Sequence, residues 1–201
     1  MEDFSMISVM KNPKGKGLVV ENNPTDYNFI SKGCHGAVFK LSADRCVKIF
    51  LKNKSAAQEA DAYTRIKGWT RCPKIYEVGP NYIVMEYIEG LTLEEYLKTK
   101  NYISESITKQ ILLILQEMKK LGFSRIDIRL HNAMVTKDDT IKVIDLVSEF
   151  HKKGSMAKRL FRGLEVLGLL DLFIAQVKEI DFKSYSEIKS LHEEFLNNRL
   201  L

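Results

Sequence analysis

The sequence predicts an α+β protein of two lobes, a β-rich first half joined by one short link to a helical second half. Two observations carry this. Between Asp26 and Tyr87 the chain runs in short β-branched and aromatic segments separated by turn residues. After Gly90 the apolar residues recur at helical spacing. A length of 201 residues suits one domain, or two small lobes sharing a cleft.

Residues 1–24 cluster Asn, Pro, Gly and Lys and read as a loose N-terminal extension. Residues 25–88 make the first lobe: YNFIS, AVFKL and, after a polar SAD turn, RCVKIF are strands. SAAQEADAYTRI follows as a helix with Ser55 at its N-cap. KIYEVG and YIVMEY flank a Gly-Pro-Asn turn and complete a five-strand sheet. Residues 89–201 make the second lobe. Thr92 with Glu95 forms a capping box, and Ile107, Ile111, Leu112, Ile114, Leu115, Met118 and Leu121 mark a long amphipathic helix. AMVT and IKVI flank KDDT as a hairpin. Two helices close the chain, a nearly all-apolar one over 157–178 and an amphipathic one over 186–199.

Composition excludes several classes. With 45% apolar residues and charges of both signs, the chain is neither disordered nor membrane-embedded. Its most apolar stretch, 160–177, is interrupted by Arg162, Glu165 and Asp171 and reads as a buried helix. The N-terminus lacks a basic region followed by an apolar run, so no signal peptide is expected. Cys34, Cys46 and Cys72 are far apart and read as reduced, buried thiols, which implies a cytoplasmic compartment. The net charge of +5 is spread along the chain without interleaved aromatics, the pattern of a solvated basic surface rather than a nucleic-acid groove. His35, His131, His151 and His192 lack ligand spacing.

Three groups of residues carry chemistry. In Ser31-Lys32-Gly33-Cys34-His35-Gly36-Ala37-Val38, glycines between two strands let backbone amides approach phosphate oxygens. Lys48, ten residues beyond Val38, is a cation among apolar strand residues and needs a partner if buried. Glu59 is the natural partner, with Asp61 and Glu77 as rivals. Third, Asn132 stands five residues after Asp127, and Asp145 thirteen after Asn132, placed after a long helix and around a hairpin.

In these residues the chain resembles the protein kinase-like superfamily over about residues 26–150. Gly33, Gly36 and Val38 match the end of the glycine-rich loop, with Ser31 in place of its first glycine. Lys48 and Glu59 match the phosphate-holding lysine and its glutamate partner. The resemblance implies that Asp127 orients the attacking hydroxyl and accepts its proton, and that Asn132 and Asp145 hold Mg2+. It places Arg129 near the ATP γ-phosphate, Met85 as gatekeeper, and the backbone of Glu86 and Ile88 against adenine. Replacing Lys48 is then expected to cripple turnover and leave the fold intact.

The departures shape the expected function. Arg125-Ile126 stands before Asp127 instead of His-Arg, Leu146-Val147 follows Asp145 instead of Phe-Gly, and the helical lobe is truncated. This layout resembles RIO-type kinases, lipopolysaccharide-type sugar kinases and small bacterial serine/threonine kinases. ATP and Mg2+ are the implied cofactors, a hydroxyl-bearing acceptor the partner, and a minimal Ser/Thr protein kinase the implied function. The alternatives are a small-molecule kinase acting on a sugar, lipid or antibiotic, and a non-catalytic pseudokinase. An acidic pocket in the helical lobe would indicate a cationic acceptor. Ser155 is the single hydroxyl in EFHKKGSMAKR and the only candidate switch there, so activity without phosphorylation is expected.

Overall fold

The computed structural model describes residues 3–146 and 157–197. Ser155 and the stretch around it lie outside the described residues. The chain divides into two compact units, Met1–Ile88 and Glu89–Leu201.

The first unit contains β1 (Ser8–Lys11), β2 (Leu18–Asn22), β3 (Asn28–Lys32), β4 (Gly36–Lys40), β5 (Arg45–Phe50), α1 (Asn53–Arg65), β6 (Ile75–Val78) and β7 (Tyr82–Glu86). β3 to β7 form one antiparallel sheet in the order β3-β4-β5-β7-β6. Its central strand is buried on both faces, and the period of two sorts its residues. Val47 and Ile49 join Ala37, Phe39 and Val84 on one face. Cys46 and Phe50 join Ile83, Met85 and Ala56 of α1 on the other. Lys48 alternates with Val47 and Ile49, so it shares the α1 side.

Residues 1–24 are not a loose extension over their described part. A turn at Asp3–Met6 and the β1–β2 hairpin cover the first face of the sheet, where Phe4, Ile7 and Leu18 are buried. Phe4 meets Tyr82 edge-on at 4.9 Å between ring centroids. Three apolar residues scattered among polar ones give little periodic signal, yet the sheet face they cover would otherwise meet water. Ser55 is not the N-cap of α1 either. That position falls to Lys52, which makes no side-chain cap; the Ser55 amide donates to the Lys52 carbonyl at 2.9 Å.

The second unit contains β8 (Gly90–Thr92), α2 (Leu93–Lys100), α3 (Glu105–Lys120), β9 (Ala133–Thr136), β10 (Ile141–Val143), α4 (Lys158–Val166), α5 (Leu170–Ile180) and α6 (Phe182–Asn197). Thr92 and Glu95 make the expected capping box on α2, and Ser104 caps α3 by accepting from the Ile107 amide at 3.3 Å. β8, too short to read from sequence, pairs with β9 at the edge of a three-stranded sheet.

The single apolar helix expected over 157–178 is two helices. Gly168 adopts φ +68°, its amide donates to Glu165 O at 2.9 Å, and the Leu169 amide donates to Leu164 O at 2.8 Å. These two bonds form a Schellman motif that ends α4. Asp181 then opens α6 by accepting from the Lys183 and Ser184 amides, each at 3.1 Å. No described helix is long and apolar enough to cross a membrane. The three cysteines, all described, form no disulfide; Cys46 and Cys72 are buried, whereas Cys34 is exposed in the β3–β4 turn. Burial pushes the Cys46 thiol up to about 12.

Candidate active site

In the first unit the β3–β4 turn closes through the Gly33 amide, which donates to the Gly36 carbonyl at 2.9 Å. Gly36 faces Phe50 across the β4–β5 ladder, and a Cβ there would lie 2.6 Å from the Ile49 carbonyl oxygen. A Cβ on Gly33 would meet open space. Of the two glycines, Gly36 therefore has a packing reason and Gly33 does not.

Val38 stands opposite Lys48 in the same ladder. The Lys48 ammonium donates to both carboxylate oxygens of Glu59, at 2.7 and 2.6 Å. The Lys48 side chain is 14% exposed and that of Glu59 only 3%. The rivals are engaged elsewhere: Asp61 pairs with Arg65 at 2.8 Å, and Glu77 accepts from the Tyr82 hydroxyl at 2.5 Å. Lys48 Nζ also lies 5.1 Å from the centre of the Phe50 ring. Two charges are thus held out of water by each other, which sequence spacing alone could not settle. Met85 is buried on the same side as Cys46. The Glu86 amide donates to the Lys74 carbonyl at 2.8 Å, its carbonyl accepts the weak Cys46 thiol at 3.7 Å, and Ile88 is buried.

In the second unit, buried Ile128 and Leu130 anchor the loop that carries Asp127, Arg129 and Asn132. Asp127 is 2% exposed. Its Oδ2 accepts from the Arg159 amide at 2.9 Å and from Arg159 Nε at 3.1 Å, while Oδ1 accepts from the Leu160 amide at 3.1 Å. The carboxylate therefore sits against the first turn of α4, where unpaired amides and the helix dipole favour an anion. Burial still dominates and holds the Asp127 carboxyl above its ordinary value, opposed by the Arg159 and Leu160 donors. Arg159 is the residue that sequence reading missed. It lies 32 residues beyond Asp127, and no local spacing marks it.

Asn132 and Asp145 are linked through the backbone, for the Asn132 carbonyl accepts the Ile144 amide at 2.8 Å. Asp145 follows, exposed, with φ +58°. Left-handed backbone at a non-glycine residue is uncommon and clusters at functional positions, and Asp tolerates it better than most. Arg129 is exposed on the loop before β9, and the Asp127 carboxylate takes Arg159 instead of it. Asn132 and Asp145 offer hard oxygen donors, and one carboxylate with an amide oxygen suits Mg2+, which completes its shell with water and phosphate. Taken unit by unit, the first offers a fixed cation of the kind that suits phosphate oxygens, and the second offers a buried carboxylate with oxygen donors of the kind that suit Mg2+.

The RIO domain signature matches residues 36–183, well over half of the chain. Over 132 residues the chain is 31% identical to YrzF of Bacillus subtilis, named a putative serine/threonine-protein kinase; the match covers 63% of this chain and 61% of YrzF. Over 96 residues it is 41% identical to a probable serine/threonine-protein kinase of Clostridium acetobutylicum, covering 44% of this chain and 14% of that protein. The chain thus spans less than two thirds of either relative. Among solved structures it is similar to WbdD, crystallised with the kinase inhibitor LY294002, with a TM-score of 0.52, 20% identity, and coverage of 75% of this chain and 45% of that one. That likeness bears on the fold, which is protein kinase-like. With its sheet-rich first unit, its helical second unit and a RIO signature running through both, the chain belongs to the RIO domain family of the protein kinase-like superfamily.

Proposed function

We propose that this chain is an ATP-dependent phosphotransferase, a minimal serine/threonine kinase acting on a hydroxyl in a reducing, cytoplasmic, bacterial-type compartment. The observation that carries it is the Lys48–Glu59 pair, a cation on β5 bound at 2.7 and 2.6 Å by a carboxylate that is almost fully buried. Ion pairs are seldom buried to this degree, because desolvation is costly. A lysine fixed in one position by such a partner suits phosphate oxygens.

Each residue then has a role. Lys48 holds the α- and β-phosphate oxygens, and Glu59 fixes its ammonium. Asn132 and Asp145 would hold Mg2+, which when bound neutralises the charge that develops on the phosphates. Asp127 orients the acceptor hydroxyl and takes its proton. The acceptor oxygen forms a new bond to the γ-phosphorus, the bond from that phosphorus to the β–γ bridging oxygen breaks, and ADP leaves with that oxygen and its electron pair. A carboxylate has about four acceptor sites, and among the described residues Asp127 uses three of them, on Arg159 and Leu160. Its raised pKa makes it a better base than a surface aspartate. Arg129 lies in the loop between Asp127 and Asn132 and would supply charge to the γ-phosphate. Undisulfided cysteines and the two bacterial relatives support the compartment.

The test is calorimetry with Mg2+ and ATP, combined with a turnover assay read by mass spectrometry. Mg2+-ATP at a hundredfold excess over its dissociation constant should stabilise the protein by about 2.7 kcal/mol. Asp145→Asn should largely remove the effect. Absence of any nucleotide-dependent shift in the wild type at millimolar Mg2+-ATP would sink the reading.

A further inference from the structure

We infer that the second unit carries a docking site for a phosphate monoester on the acceptor, so that the substrate is an anion. This rests on the phosphotransferase reading and names the substrate class of that same site.

A cavity of about 320 Å³ opens on the second unit, lined by Arg129, Arg159, Arg162, His131 and Glu94 among others. Three chain segments build it. Arg129 and His131 come from the loop before β9, Arg159 and Arg162 from α4, and Glu94 from the first turn of α2. Arg159 and Arg162 are three residues apart, which puts them on one helix face. Gly163 makes the approach possible, since a Cβ there would lie 2.8 Å from Leu130 Cγ. Any larger residue would push α4 away from the loop and part Arg162 from Arg129.

The charge is one-sided. Of the three guanidiniums that line it Arg159 is paired with Asp127, and the one carboxylate among the lining residues, Glu94, already accepts from Lys98 at 2.6 Å. Among the described residues neither Arg129 nor Arg162 has a carboxylate partner. Single exposed arginines need no explanation, but Arg129 and Arg162 around one concavity, beside an Arg159 already held by Asp127, repel one another unless an anion joins them. Guanidinium forks match phosphate oxygens two at a time, which an ammonium cannot do. The volume lies at the lower end for small-ligand sites, enough for a phosphate and a modest attached group.

The placement ties the cavity to the chemistry. Arg159 lines it and also donates to Asp127, so a phosphate held there is anchored beside the carboxylate that would take the hydroxyl proton. The lining of this cavity is mainly basic, the opposite of what a cationic acceptor would call for. The phosphate monoester can sit on a small molecule such as a sugar phosphate or on a phosphoserine of a peptide.

The experiment titrates inorganic phosphate into the wild type, Arg162→Glu, Arg162→Lys and Glu94→Gln by isothermal calorimetry at low salt. Phosphate should bind the wild type, and Arg162→Glu should lose about tenfold or more in affinity, with Arg162→Lys between them. Glu94→Gln should tighten binding, because it removes the one negative charge. Turnover is then compared for a sugar phosphate against its free sugar, and for a serine peptide with and without a second, phosphorylated serine. The phosphate-bearing member of one pair should be preferred, and which pair identifies the source. No phosphate binding, equal binding by Arg162→Glu, weaker binding by Glu94→Gln, or equal preference within both pairs would each overturn the inference. Loss of the Mg2+-ATP stabilisation in the wild type would instead count against the phosphotransferase reading, and the phosphate titration does not depend on it.

Discussion

Arg159 donates twice to one oxygen of Asp127, from its backbone amide at 2.9 Å and from Nε at 3.1 Å. The contact spans 32 residues of sequence and fixes the first turn of α4 to the loop that holds the candidate base. The Asp127 side chain is 1% exposed and that of Arg159 20%, so water can do little to replace the bond. Truncating Arg159 to Ala should therefore cost about 1.5–3 kcal/mol, the worth of a hydrogen bond between charged groups. Two backbone donors remain, so the fold should survive. Urea unfolding gives the number, and a cost under about 0.5 kcal/mol would show the guanidinium contact to be incidental.

The Lys48–Glu59 pair changes what replacement of Lys48 should do. With Glu59 only 3% exposed, removing its partner leaves a buried carboxylate, and the cost is expected at about 3–5 kcal/mol. The fold is then expected to depend on Lys48, contrary to the expectation from sequence that its replacement leaves the fold intact. Lys48→Met combined with Glu59→Gln should recover much of that loss, because no charge is then stranded. A double-mutant cycle by chemical denaturation checks this, and additive single effects would contradict it.

The two glycines of the β3–β4 turn should part company. Gly36→Ala places a Cβ 2.6 Å from the Ile49 carbonyl oxygen, and neither backbone can yield cheaply. A loss of about 1–3 kcal/mol is expected. Gly33→Ala meets open space and should stay within about 0.5 kcal/mol of the wild type. Thermal melts of the two variants decide it; equal effects would mean that the turn, and not the ladder contact, sets the requirement for glycine.

Asp127 should also leave a mark on the pH dependence of stability. Burial raises its pKa in the folded state above the ordinary carboxylate value. Its contribution is then complete below that ordinary value and is lost as pH rises through the folded pKa. Wild type should accordingly lose stability relative to Asp127→Asn as pH rises above the ordinary carboxylate value of about 4. Unfolding free energies of both proteins across that range test it, and a constant difference would show that the Arg159 and Leu160 donors cancel the burial.

Sequence alone determined much of this protein, wherever local periodicity and capping chemistry speak. The five strands of the main sheet, the Thr92–Glu95 cap, α3 and the β9–β10 hairpin follow from alternation, turn residues and spacing over a few positions. The Asp127, Asn132 and Asp145 spacing was visible for the same reason, as one loop and one hairpin. Tertiary structure decided what depends on distant partners. Phe4, Ile7 and Leu18 belong to a core because a sheet face needs cover, although their own neighbourhood is polar. Glu59 prevails over Asp61 because it lies on the buried face of α1 while Asp61 is exposed on the same helix, and over Glu77 because α1 packs on the Lys48 side of β5. Arg159 reaches Asp127, and joins Arg129 and Arg162 around one cavity, only because α4 docks through Gly163. Charge placed by folding across 30 residues leaves no local pattern, since the energy that fixes it comes from packing and desolvation rather than from neighbours in the chain.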